Sequence, residues 1–235
     1  VTVPAGGARH HGGMHVHDAI ASRRSVRAFL PDPVPAATLR RVLERAARAP
    51  SGGNLQPWHV DVLAGEPLSA LKARMQALLA EGTQEAPAYA VYPPHLPAPW
   101  RDRRFEVGEA MYARLGIPRE DKAARRDWFA RNYAFFGAPV ALFCSVDRLM
   151  GPPQWSDLGM YLQTVMLLLR AEGLDSCAQE CWAMYPQTVG DALGLPPERM
   201  LFSGMSIGHA DTAHPVNALV SRRAPLEETV RFHGL

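Results

Sequence analysis

Three arginines and a serine fall within five residues near the start of the chain: Arg23, Arg24, Ser25 and Arg27, in the run RRSVRAF that closes on the apolar Phe29. Guanidinium forks, a hydroxyl and the intervening backbone N–H groups are the donor types that hold a phosphate, each charge-assisted bond contributing about 1.5–3 kcal/mol. A solvated basic face or the cap of a helix C-terminus would use the same residues, and the cluster alone leaves these readings open. The net charge is only +2 over 235 residues, so no broad basic field draws the protein to nucleic acid or an acidic membrane. The anion, if there is one, is small.

Other chemistries find little support. No G-x-x-x-x-G-K-[ST] run occurs, nor a G-x-G-x-x-G between strand and helix, so dedicated ATP and Rossmann-type dinucleotide sites are not expected. No G-x-S-x-G elbow, HExxH or EF-hand pattern appears either. Cys177 and Cys181 have a C-x3-C spacing, but two thiols fall short of a four-ligand metal set, and no metal is expected. With Cys144 they make an odd number in a long chain without a secretory h-region, which points to reduced thiols and a cytoplasmic protein. No apolar run approaches the roughly 20 residues that span a bilayer.

With 47% hydrophobic and 20% charged residues, the chain can bury one substantial core, and one domain is expected over 18–235. Residues 1–17, rich in Gly and His, read as a mobile arm. HDAIASRRS predicts a short helix leading into the arginines. Leu39, Val42, Leu43, Ala46 and Ala47 make one helical face that Pro50 stops, after which the turn formers Ser51, Gly52, Gly53 and Asn54 lead to a strand alternating through Trp58, Val60 and Val62. Helices are predicted over 67–80, 105–115 and 122–134, with a Pro- and aromatic-rich stretch over 81–104 that reads as a lid. GAPVALFCSVD predicts a buried strand, and Leu158, Tyr161, Leu162, Val165, Met166 and Leu169 mark a central buried helix. Strand, helix and strand follow in LDSCAQE, YPQTVGDALGL and MLFSGMSIGHA. The mixed tail after Asp211 has no domain of its own to cover and is expected to wrap a neighbouring subunit. The architecture is α+β.

AIASRRSVRAF followed by a helix and APSGGNLQPWHV resembles the amino-terminal signature of the FMN-dependent nitroreductase family. NYAFFGAPVALF, WSDLGMYLQTVMLLLRAEGLDSCAQECWAMYP, GMSIGHAD and PVNALVSRRAPLEETVRF resemble its later blocks in the same order, particularly those of a bacterial nitroaromatic-reductase subgroup, with coverage from about Asp18 to the end. The resemblance implies a central, mostly antiparallel sheet flanked by helices and a C-terminal arm exchanged across a homodimer, with FMN at the subunit interface. Residue by residue, it implies that Arg23 and Ser25 hold the phosphate or ribityl chain, Arg24 the flavin ring or ribityl chain, and that Arg27 closes the motif. Arg223 would return from the tail to the same phosphate, with Arg222 as a helper. Pro50, Ser51, Gly52 and Asn54 would reach the flavin from the other subunit, and the main chain of Gln179, Glu180 and Cys181 would face the flavin edge near N5.

Such a protein would take hydride from NADPH or NADH and pass it to a nitroaromatic or related electron-poor acceptor in a ping-pong cycle, with no catalytic side chain beyond those holding the cofactor. The same scaffold supports ene reduction, dehalogenation and other flavin chemistry, and a flavin-binding protein without turnover is a further alternative.

Overall fold

Apolar spacing and local breakers account for most of the element boundaries. The computed structural model describes residues 14–234, so most of the expected N-terminal arm lies outside the described residues. Helix α1 (Val16–Ser22) begins within the segment read as arm. Helix α2 (Ala36–Ala46) starts after Pro35 and buries Val42 and Ala46. Strand β1 (His59–Ala64) runs directly into α3 (Gly65–Glu81), which ends at a left-handed Gly82 with φ 73°. Helix α4 (Trp100–Arg114) is followed by α5 (Lys122–Ala130), whose N-cap Asp121 accepts from the Ala124 N–H at 2.9 Å. Then come β2 (Val140–Asp147), α6 (Pro152–Ala171), β3 (Asp175–Gln179), α7 (Pro186–Leu193), β4 (Arg199–Gly208) and the short α8 (Leu226–Thr229).

The strands form one sheet in the order β1-β2-β4-β3, antiparallel throughout, as the α+β reading expects. The central strands are apolar on both faces because helices cover both. One face, with Ala141, Phe143 and Leu201, packs with Leu71 and Met75 of α3, Val189 of α7 and the aromatic cluster Phe135, Phe136 and Trp182. The other, with Leu142, Cys144 and Met205, packs with Val42 and Ala46 of α2 and with Leu158, Leu162 and Val165 of α6. Gly204 is where the aromatic cluster meets β4: a Cβ there would stand 2.3 Å from Trp182 Cδ1, so the indole lies against the strand only because no side chain intervenes.

Three segments refine the expectations. Trp58, just before β1, and Val60 on it join the α6-side core, but Val62 is 39% exposed and Leu63 instead enters the opposite core, because this edge strand outruns its helical cover. The irregular stretch expected over 81–104 is shorter, since α3 reaches Glu81 and α4 begins at Trp100. It is also well anchored. Glu85 accepts from the Gln187 and Thr188 N–H groups at 2.7 and 3.0 Å, Ala88 N–H donates to the Ala183 carbonyl at 2.8 Å, and the Tyr89 hydroxyl donates to the Phe202 carbonyl. The tail folds over its own chain, where Arg222 and Arg103 pair with Glu106 and Glu228. Among the described residues no helix is long and apolar enough to cross a membrane.

Candidate active site

Helix α1 ends at Ser22, and from Arg23 the chain is extended. It then behaves as a short strand beside β3: Ser25 bridges to Ser176, and Val26 N–H donates to the Ser176 carbonyl at 3.0 Å. Farther on, Leu30 N–H donates to the His209 carbonyl at 2.9 Å. Val26, Ala28 and Phe29 are buried, which turns Arg24 and Ser25 outward and leaves Arg23 and Arg27 half-buried.

Asn217, which the sequence analysis did not single out, locks this strand to the tail. Its Oδ1 accepts from Arg27 N–H at 2.8 Å, while its Nδ2 donates to the Ala28 and Asp211 carbonyls at 2.8 Å each. The available signal was Asn217 two residues after Pro215, the turn chemistry that produces the 3-10 turn Pro215–Ala218.

The strand and the tail enclose a cavity of about 310 Å³ that brings together Arg23, Arg24, Ser25 and Arg27 from one side and Ser221 and Arg223 from the other. Among the described residues no carboxylate lines it. Four guanidinium groups gathered without an acidic neighbour repel one another unless an anion lies among them, and hydroxyls and guanidinium forks are what a phosphate accepts from. The donor set therefore fits the phosphate of FMN. Arg223 Nη1 donates to Ser221 Oγ at 2.7 Å, whereas Arg222 turns away, 86% exposed, to pair with Glu106 at 3.0 Å.

Through Arg27, Val107 and Leu219 this cradle adjoins a second cavity of about 430 Å³ with Gln179, Glu180 and Cys181 in its wall. The Gln179 side chain is spent on structure: it donates to the Asn132 carbonyl at 2.8 Å and accepts from Ser206 Oγ at 2.7 Å. That leaves only its main chain free to meet a ligand. Burial pushes the Cys181 thiol up to about 12, so it is a neutral, unreactive thiol near pH 7. Tyr133, whose hydroxyl burial also shifts upward, donates to the Cys181 carbonyl at 3.3 Å and steadies the segment.

Opposite lies a strained turn. Phe135, Phe136 and Gly137 have φ of 52°, 53° and 86°, a left-handed run that bulky residues rarely adopt. It holds the Phe136 carbonyl 3.2 Å from Phe29 N–H, and Phe136 and Asn132 line the chamber.

The turn carrying Pro50, Ser51, Gly52 and Asn54 lines neither cavity of the same chain. It sits on α6, where the nearly buried Asp157 accepts from Gly52 N–H at 3.3 Å with each carboxylate oxygen. Ser51 Oγ accepts from Gln56 N–H at 2.9 Å, and Gly53, Asn54 and Gln56 are left-handed, with φ of 57°, 58° and 50°. Pro50, Gly52, Asn54 and the apolar Leu55 are all exposed. The turn is thus held in an unusual conformation while its apolar and small residues face outward.

Residues 20–209 match the model of the Nitroreductase family. The chain is 37% identical over 215 residues to a 4-nitrobenzoate reductase of Pseudomonas putida, covering 92% of this chain and 94% of the relative. Among solved structures, the FMN and NADPH-dependent nitroreductase NfnB from Sphigopyxis sp. strain HMH superposes with a TM-score of 0.92 at 52% identity, covering 94% of this chain and all of that one. The FMN-dependent nitroreductase NfnB from Mycobacterium smegmatis in complex with NADPH superposes with a TM-score of 0.88 at 35% identity, covering 92% and 97%.

Proposed function

From the premise that the chain belongs to the nitroreductase family, we propose that it is an FMN-dependent oxidoreductase that uses NADPH or NADH to reduce nitroaromatic or related electron-poor acceptors. The observation that carries this reading is the carboxylate-free arginine cradle opening directly into a ring-sized chamber. The named activities of the similar proteins support it.

In this reading Arg23, Arg24, Ser25, Arg27 and Arg223 bind the FMN phosphate and the adjoining ribityl chain, and Arg222 adds only long-range attraction. When bound, FMN supplies a two-electron relay between the nicotinamide and the acceptor. The main chain of Gln179, Glu180 and Cys181, its position held by Asn132, Ser206 and Tyr133, would border the ring edge. Buried aromatic packing behind this wall excludes water from that side. The open side of the chamber admits donor and acceptor in turn, in keeping with the absence of a dinucleotide-binding motif.

A homodimer completes the site. The rigid turn of Pro50, Ser51, Gly52 and Asn54 lies apart from its own chamber and is suited to reach a partner's. Gly159, Met160 and Gln163 of α6, the helix on which the turn sits, are also exposed. Because Glu228 pairs with Arg103 of its own chain, the tail stays on its own subunit as far as α8, and only the residues beyond it are left to reach across the same dimer; residues 18–235 form one cytoplasmic domain.

Anaerobic addition of NADPH, then separately NADH, to the FMN-loaded protein tests this function. The flavin absorbance should bleach and be restored by nitrobenzene, and steady-state double-reciprocal plots should be parallel. A protein that retains no FMN, or whose bleached flavin a nitroarene does not restore, refutes it.

A further inference from the structure

The outer wall of the chamber carries a cation that the cofactor cradle does not use. Arg104, on α4, lies over the ring of Tyr92 from the preceding irregular stretch, with its guanidinium carbon 4.0 Å from the ring centroid. Both residues line the chamber that contains the Gln179–Cys181 wall. Among the described residues no hydrogen bond or ion pair engages the Arg104 side chain, although its neighbours Arg101 and Arg103 pair with Asp102 and Glu228.

A guanidinium held against an aromatic ring keeps its N–H fork free, since those donors point outward in the plane of the group. Such a fork matches a carboxylate with two parallel hydrogen bonds. The other charged groups of the chamber favour the same use. Arg27 belongs equally to the phosphate cradle and donates to the Ser25 carbonyl at 3.3 Å. Glu180, the only carboxylate in the lining, stands on the wall assigned to the cofactor and carries no ion pair among the described residues. An anionic substituent is therefore repelled from the cofactor wall and attracted to the Arg104 end. The same lining includes Met111, Phe129 and Phe136, apolar surface for an aromatic ring.

We propose that Arg104, steadied by Tyr92, is a specificity-determining residue that receives the carboxylate of an aromatic acid. The preferred acceptors are then nitroaromatic acids, bound with the carboxylate outward and the nitro group towards the cofactor wall. This rests on the reading of the site as a nitroaromatic reductase.

The test uses the FMN-loaded protein and a ratio that cancels general damage: kcat/KM for 4-nitrobenzoate divided by kcat/KM for its neutral counterpart 4-nitrobenzamide. In the wild type the ratio should exceed one and decline as salt is raised. Arg104→Met, which retains the length of the stem without the charge, should lower it about tenfold or more, the effect of losing a charge-assisted pair. Arg104→Lys, which keeps the charge but not the fork, should give an intermediate value.

Because the wild-type ratio and its salt dependence need no variant, poor folding of Arg104→Met leaves the assignment testable. A wild-type ratio at or below one overturns it, and so does an unchanged ratio in Arg104→Met. An unchanged ratio accompanied by a selective slowing of flavin bleaching by NADPH relative to NADH overturns it in favour of the donor's 2′-phosphate as the anion. Failure of the wild type to reduce either acceptor overturns the proposed function, and this assignment with it. An enzyme that reduces both with the ratio unaltered by Arg104→Met overturns the assignment alone.

Discussion

Replacing Asn217 with alanine should weaken both the fold and its grip on FMN, although the side chain lines neither cavity. The substitution removes three hydrogen bonds, one from Arg27 N–H and two to the Ala28 and Asp211 carbonyls, all of 2.8 Å. At a net 0.5–1.5 kcal/mol apiece these contribute about 1.5–4.5 kcal/mol, and because Asn217 is only half-buried, water can reach some of what is left unpaired. The lower part of that range, about 1.5–3 kcal/mol, corresponds to a fall in Tm of about 3–12 °C for a chain of this size. The same bonds hold the Arg27 strand against the tail that delivers Arg223. Shifting either arginine forfeits part of a charge-assisted phosphate bond, so FMN should bind about tenfold more weakly. The assays are a thermal melt of the apo-protein and a flavin fluorescence titration. Thr188→Val serves as the control, since it loses the hydroxyl bond to Glu85 but lines neither cavity. FMN affinity within about twofold of wild type in Asn217→Ala, or an equal loss in Thr188→Val, would refute the reasoning.

Arg23→Ala and Arg223→Ala should each weaken FMN by about one to two powers of ten while leaving riboflavin, which lacks the phosphate, nearly unaffected, as read by parallel titrations. Arg222→Ala should change FMN affinity by less than about threefold, because that side chain faces Glu106. Gly204→Ala should destabilise by at least about 1–3 kcal/mol in denaturant melts, since the new Cβ meets Trp182 Cδ1 at 2.3 Å. Burial raises the Cys144 and Cys181 thiols from 9.0 to about 12. The unfolded chain therefore loses these protons first, and their contribution to stability, fully present below pH 9, should decline as pH rises from 9 to 12. Urea melts across that window check the sign, and Cys144→Ala should flatten the decline.

Where a residue's surroundings are set by its own element, the sequence reveals them. The apolar face of α6 and the run that becomes β2 are legible because periodicity directly reports which faces are covered. The arginine run, its phosphate-like donor set and the resemblance it carries were legible for the same reason, being local. What stayed hidden depends on geometry between elements. The resemblance ranks Arg223 ahead of its neighbour Arg222, but the physical reason is not local: in a nearly extended segment neighbouring side chains point opposite ways, and the packing of the tail on α4 turns Arg222 to Glu106 and leaves Arg223 in the cradle. Gln179 is expected at the flavin edge through its main chain, but nothing local says that its side chain is consumed by Asn132 and Ser206, which come from distant parts of the chain. Tyr92 and Arg104 meet only because the irregular stretch between α3 and α4 folds back, and no periodicity encodes that. Glu85 caps α7 from about a hundred positions away, a contact with no local signal.

The bond between Arg27 and Asn217 joins residues 190 positions apart, which has a consequence for biosynthesis. Ribosomes deliver about 5–20 residues per second, so the arginine run waits about 10–40 s for its last partner to be made. During that interval β2 and α6 can already begin to associate, while four repelling guanidinium groups have only three members present and no tail to frame them. Cofactor loading is thereby postponed until translation is nearly over. A product terminated just upstream of Asn217 contains all four strands of the sheet and three of the four arginines but lacks both the lock and Arg223, so it emerges as a folded-looking chain with a weakened hold on its flavin.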